Sequence, residues 1–181
     1  MRRIVSVIVC ALLLGGGALR AQDDDDDQPF RPGLIATYHD QRAQPVVRIE
    51  PMVALDADAV PGDPRLPIGA QTVRWQGRFL TQGGGDYRLH VYAVGEVKIE
   101  LAGKLVLAAQ CDQPGWLSTD VLKLEHDYHP LAISYQGTPE AQRIRLFWSS
   151  DSFALEPLPA KQLVHEPLAP AESDFARGRE L

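Results

Sequence analysis

The sequence predicts an all-β chain folded as an antiparallel sandwich or barrel, and three observations carry the prediction. From Phe30 onward apolar residues recur with a period of two, Gly and Pro pairs punctuate the runs, and no strong amphipathic helix interrupts them. A strand with one apolar face must bury it against another layer. Many short one-sided strands therefore imply two packed sheets or a closed barrel.

The front of the chain precedes that pattern. Arg2 and Arg3 form a charged n-region, Ile4 to Leu14 is an apolar run short for a bilayer span, and small residues from Gly15 to Ala18 and Ala21 follow. Residues 1–21 read as a secretory signal peptide with cleavage after Ala21, or alternatively after Ala18. Val9 before Cys10 lacks the small residue of a lipoprotein signal, so lipidation is not expected. The expected destination is exported, periplasmic or extracellular, as for a bacterial secreted protein. Residues 22–29, with five aspartates from Asp23 to Asp27, read as a disordered acidic spacer, because like charges repel and a calcium cage needs a folded loop.

Loss of Arg2, Arg3 and Arg20 with the signal leaves 15 of the 18 basic residues against 24 acidic ones, a formal charge of −9. That balance opposes nucleic acid and, after signal cleavage, anionic membrane as partners, and a neutral or cationic ligand fits better. Cys111 remains as the single thiol, which excludes an internal disulfide and leaves stability to packing. It reads as a small half-buried residue.

Within residues 30–165, expected as one domain, Val46 to Ile49 is a strand. Tyr87, Leu89 and Val91 face one way while Arg88, His90 and Tyr92 face the other; Val97, Ile99 and Leu101 alternate with Lys98 and Glu100. These read as two half-buried strands joined by a loop, Ala93 to Glu96. Val121 to Leu124, Leu131 to Tyr135 and Ile144 to Trp148 continue the pattern. Pro61-Gly62, Gly83-Gly84-Gly85, Pro114-Gly115 and Gly137-Thr138-Pro139 mark turns. Trp75, Tyr87 and Trp148 are expected in the core, Gly77 at a bulge or close approach, and Gly103 at the positive φ of a hairpin.

The order of these landmarks resembles the protective antigen domain, a secreted β-sandwich module found in bacterial glycosidases, adhesins and surface proteins. Gly33-Leu34-Ile35-Ala36-Thr37-Tyr38 resembles its opening Gly-Leu-x-Ala-x-Tyr, and Val73-Arg74-Trp75-Gln76-Gly77 its Trp-x-Gly strand. Gly85-Asp86-Tyr87 resembles its Gly-x-Tyr-x-Phe strand, Leu101-Ala102-Gly103-Lys104 its Ile-Asp-Gly-Lys turn, and Leu146 to Trp148 its closing Leu-x-Trp. The resemblance implies an antiparallel β-sandwich of the protective antigen type. It also implies carbohydrate as ligand, since sugar-binding members hold calcium on adjacent aspartates just before the Ile-Asp-Gly-Lys strand. In this chain that stretch reads Ala93-Val94-Gly95-Glu96, with one carboxylate where calcium takes six to eight oxygens, roughly, and Ala102 replaces the turn aspartate. No metal site and no cofactor is expected.

The chain contains no asparagine, removing an amide that donates to and accepts from sugar hydroxyls. Candidate ligand residues are Gln110, Asp112 and Trp116, in a stretch that supplies amides, a carboxylate and an aromatic face, together with Glu96. The competing reading is an ordinary loop with Trp116 folded onto the core. His126 and His129 flank Asp127 at a metal-compatible spacing but lack a third ligand, and read as turn residues.

Residues 166–181 read as a linker and the start of a short helix. Phe175 to Leu181 resembles the opening helix of a c-type cytochrome domain, without its Cys-x-x-Cys-His haem motif. The expectation is an exported, non-catalytic binding or adhesion module for carbohydrate or a cell-surface polymer. The alternative is a structural or protein-interaction spacer, the front part of a longer secreted cytochrome-containing protein with a neighbouring domain after Leu181. An enzyme would need a carboxylate pair such as Asp86 and Glu96 to converge. No catalytic residue is assigned, because no serine has a nucleophile elbow and no other reactive constellation is present.

Overall fold

The computed structural model of the protein describes residues 29–39, 44–56, 72–138 and 141–168. The expected signal peptide, the acidic run from Asp23 to Asp27, the expected Pro61-Gly62 turn and the short helix expected from Glu172 to Leu181 lie outside these described residues. In chain order the strands are β1 (Arg31–Pro32), β2 (Leu34–His39), β3 (Val46–Glu50), β4 (Ala54–Asp56), β5 (Thr72–Leu80) and β6 (Gly85–Leu101). They continue as β7 (Lys104–Ser118), β8 (Leu122–Leu124), β9 (Tyr128–Gln136), β10 (Arg143–Ser150), β11 (Phe153–Pro157) and β12 (Leu163–His165), with a 3-10 turn at Ala160–Gln162. The strand pairs are antiparallel and follow the order β1-β12-β5-β9-β6-β10-β11, with β2 and β3 beside β5, β4 beside β10, and β7 and β8 beside β6. Among the described residues no helix is long and apolar enough to cross a membrane.

The two-residue period dictates which side of each strand is buried. Val73, Trp75 and Phe79 of β5, Leu131, Ile133 and Tyr135 of β9, and Ile144, Leu146 and Trp148 of β10 all turn into one core. Phe79 meets Trp148 edge-on at 5.6 Å between ring centroids, and Tyr87 stacks on the same indole at 6.0 Å. These contacts join the two layers. The burial of Trp75, Tyr87 and Trp148 matches their sequence reading. Each indole also satisfies its N–H, Trp75 donating to Glu50 Oε2 at 2.8 Å and Trp148 to Glu156 Oε1 at 3.0 Å. Gly77 lies where β12 pairs with β5, and a Cβ there would overlap the Val164 carbonyl oxygen.

One strand belongs to both layers. The sequence predicts two strands with a loop at Ala93–Glu96, whereas the structure runs 17 residues from Gly85 to Leu101 as a single strand. One edge of β6 pairs with β10 from Tyr87 to Val94, then with β9 from Glu96 to Leu101. β9 and β10 diverge from the same edge, so the sheet splits into two layers at Gly95, whose φ is +107°. The backbone ladder is interrupted there. The Tyr135 hydroxyl bridges the gap, donating to the Val94 carbonyl at 2.8 Å and accepting from the Arg143 N–H at 2.9 Å. Burial pushes its pKa up to about 12, partly offset by that Arg143 bond, so it stays a neutral donor.

The stretch Gln110 to Trp116 is likewise strand rather than loop. It forms part of β7, and between the pairs Gly95↔Cys111 and Ala93↔Gly115 it inserts Asp112, Gln113 and Pro114 as an exposed bulge. Pro114 lacks an N–H and is tolerated because β7 pairs on one edge, with β6, among the described strands. The Pro-Gly signal therefore marks a bulge opposite the corner.

Ala102 and Gly103 make the two-residue turn from β6 to β7, with φ of 50° and 76°. Two positive φ values are the signature of a type I′ turn, which favours Asn-Gly and penalises alanine at its first position. Ala102→Asn should therefore stabilise the protein by about 0.5–1 kcal/mol, raising Tm by roughly 2–4 °C in a thermal melt. An unchanged or lower Tm would show that the turn is not limiting.

Candidate functional site

The alternation that buries Ile144, Leu146 and Trp148 points Arg143, Arg145 and Phe147 to the outer face of the same layer. Register then assembles a patch from four strands. Arg143 lies opposite Asp56 of β4, Arg145 opposite Tyr92 of β6, and Tyr92 opposite Trp116 of β7. Together with Phe147 these residues line a shallow depression of about 360 Å³. Trp116 is 52% exposed, although its ring is held by Tyr92 at 5.3 Å and by Phe147 at 4.9 Å. The indole is thus a fixed, accessible platform.

Charge borders the aromatic floor. Arg143 Nη2 lies 3.3 Å from Asp56 Oδ1, and Arg145 Nη2 lies 3.8 Å from Asp56 Oδ2. Beside the patch on β6, His90 is opposite Phe147, and its two ring nitrogens meet Ser118 Oγ at 2.8 Å and Ser149 Oγ at 2.9 Å. Burial, with Arg88 nearby, holds its pKa below the ordinary histidine value, so it adds no positive charge at neutral pH.

Of the residues singled out from sequence, Trp116 joins this patch while Gln110, Asp112 and Glu96 do not line it. Gln110 faces Glu96 across β6 and β7, and its Nε2 donates to Asp112 Oδ1 at 3.3 Å. Glu96 is paired with Lys98 at 2.5 Å. Asp56, Tyr92, Arg143, Arg145 and Phe147 escaped the sequence reading. Their signal was present in the alternation Arg143-Ile144-Arg145-Leu146-Phe147-Trp148, whose outer set is cationic and aromatic.

Asp86 and Glu96 lie on one strand, ten residues apart, which is roughly 30 Å of strand path against a glycosidase separation of about 5–9.5 Å. His129 Nε2 contacts Thr81 Oγ1 at 3.0 Å and the Glu125 carbonyl at 3.1 Å, securing a turn, and His126 is exposed. Cys111 is half-buried in β7.

The family's calcium does not fit this chain. The corresponding residues Ala93, Val94 and Gly95 are buried inside β6, and the remaining carboxylate, Glu96, is held by Lys98. Among the described residues no three His, Cys, Asp or Glu side chains group as a metal site.

No family model matches the chain, and no curated protein matches it. Solved structures do. The chain is similar to an anti-sigma factor domain-containing protein, at 23% identity and a TM-score of 0.69, over 76% of this chain and 50% of that one. It is similar to the PA14 sugar-binding domain from an RTX adhesin, at 16% identity and a TM-score of 0.60, over 74% of this chain and 98% of that one. A third likeness is to the Epithelial Adhesin 9 A domain from Candida glabrata in complex with Galβ1-3GlcNAc, at 11% identity and a TM-score of 0.58, over 76% of this chain and 91% of that one. The architecture is therefore that of the PA14, or protective antigen, fold. The chain spans about half the length of the anti-sigma factor domain-containing chains it matches, one of them from Clostridium clariflavum. None of these likenesses supports the cytochrome resemblance of residues 175–181.

Proposed function

We propose that the protein is an exported, non-catalytic binding module that takes carbohydrate on the outer sheet face around Trp116. The observation that carries the reading is the exposed indole, clamped by Tyr92 and Phe147 and bordered by Arg143, Arg145 and Asp56. A sugar ring stacks its apolar face on such a platform while its hydroxyls bond the polar border. The shared fold with a sugar-binding adhesin domain and with an adhesin holding Galβ1-3GlcNAc supports the ligand class. Export rests on the Arg2-Arg3 n-region and the apolar run after it.

Affinity electrophoresis against a panel of polysaccharides, with calcium and with chelator, tests the proposal. Binding should be indifferent to chelation, because the donor set for calcium is missing. Trp116→Ala should weaken binding at least about tenfold, or about 1.4 kcal/mol. Its Tm should stay within a few degrees of the parent, since the side chain is half exposed. Silence across the panel would favour a second reading, an interaction or spacer module inside a longer protein. That reading draws on the pairing of β1 with β12, which places the start and end of the sheet side by side.

A further inference from the structure

The net charge of −6 points away from anionic ligands, yet the patch around Trp116 has the opposite local balance. It contains two guanidinium groups and one carboxylate, and the nearby His90 is neutral at neutral pH. Beyond about 8 Å the protein's field is screened at physiological salt, whereas a guanidinium acts on what touches it. Contact chemistry therefore decides the ligand more than net charge does.

Arg145 is the group that a ligand can reach. Its side chain is 57% exposed, and its contact with Asp56 is 3.8 Å, while the other Asp56 oxygen meets Arg143 at 3.3 Å. With Arg145 exposed and the contact as long as 3.8 Å, the pair adds little stability, so an incoming anion can take over the Arg145 fork without undoing the Arg143 contact. The fork donates and never accepts, and it matches two oxygens of a planar carboxylate. Neutral sugars present hydroxyls that both donate and accept, which suits this border less well. Tyr92, opposite Arg145 and beside Trp116, places the cation at the rim of the aromatic floor.

Building on the carbohydrate reading, we propose that the site takes an acidic saccharide, its ring on Trp116 and its anionic group on Arg145. The shared chemistry is a sugar-borne anion, either a uronate carboxylate or a sulfate ester.

The test measures affinities of the purified protein for polygalacturonate, its fully methyl-esterified form, dextran sulfate and unmodified dextran at physiological salt. Polygalacturonate should bind at least about tenfold more tightly than its methyl ester, which keeps the backbone and removes the charge. The sulfate arm assigns the source of the anion: dextran sulfate bound over dextran extends the site to sulfated sugars, and otherwise the ligand is a uronate. Arg145→Gln should abolish the preference for the acid, so that polygalacturonate and its methyl ester bind the variant with the same affinity. Lys123→Gln, on β8 outside the patch, should change neither. Equal binding of acid and ester together with equal binding of dextran sulfate and dextran, or a preference that survives Arg145→Gln or vanishes equally in Lys123→Gln, overturns the acidic-saccharide proposal and leaves the carbohydrate reading standing. Absence of binding to all four polymers, together with silence across the wider panel, removes both.

Discussion

Gly95→Ala is expected to destabilise the protein by about 2–6 kcal/mol, enough to remove much of the stability of an ordinary domain. Two independent penalties combine at this position. With φ at +107°, Gly95 occupies a region that a residue with a Cβ enters only under strain, worth roughly 1–3 kcal/mol. The added methyl would also overlap the backbone oxygen of Gln136, which cannot swing aside like the end of a side chain. Gln136 pairs with Glu96 as β6 leaves β10 for β9, so relieving the clash means parting the strands where the layers diverge. Overpacking against backbone adds about 1–3 kcal/mol more. Urea unfolding of the variant is the measurement, and a loss under about 1 kcal/mol would show that β6 does not need this conformation. Gly83→Ala is the matching control, because a Cβ there has open space around it. Tyr135→Phe should fall between the two, since it removes the hydroxyl that links Val94 to Arg143 but leaves the ring packed.

Gly95 also marks the boundary of what the sequence makes legible. Alternation located the apolar faces of β6, β9 and β10 because inward and outward residues differ in chemistry at every second position. It could not tell a bend from a break. Glycine with positive φ serves equally in a turn and in a strand that changes partners, and the difference lies in β9 and β10, remote in sequence. Pro114-Gly115 misled in the same way, marking a bulge inside β7 rather than a loop. Ala102-Gly103 was easier, because a two-residue hairpin is closed by adjacent residues. The candidate site was visible in one member, Trp116. Its other members belong to β4, β6 and β10, and only register brings Asp56, Tyr92 and Arg145 beside one another. Of the residues near Trp116 in sequence, Gln110 lies beyond the bulge and Asp112 within it, and neither lines the depression.

Glu50→Ala should cost about 3–5 kcal/mol, although Glu50 belongs to none of the landmark motifs. Its carboxylate is buried at the end of β3, where Oε1 accepts from the Tyr38 hydroxyl at 2.6 Å and Oε2 accepts from Trp75 Nε1 at 2.8 Å. Arg48 Nε, 3.7 Å from Oε1, supplies the nearby cation that makes burial of the charge tolerable. A buried Trp75 N–H needs an acceptor, and the sequence does not name it, because the partner lies 25 residues away. Truncation to alanine opens a cavity and removes the acceptor from two buried donors, each orphan costing roughly 1–3 kcal/mol. Glu50→Gln should cost less, about half as much, since its carbonyl still accepts one donor while its amide turns an N–H toward the other. The coupling is the sharper measurement. Tyr38→Phe in the Glu50→Gln background should lose less stability than in the parent protein, by about 1 kcal/mol, because the hydroxyl has already lost its charged acceptor. Equal losses in both backgrounds would mean that Tyr38 and Trp75 are held by packing alone, and that the buried carboxylate is not what aligns β2, β3 and β5.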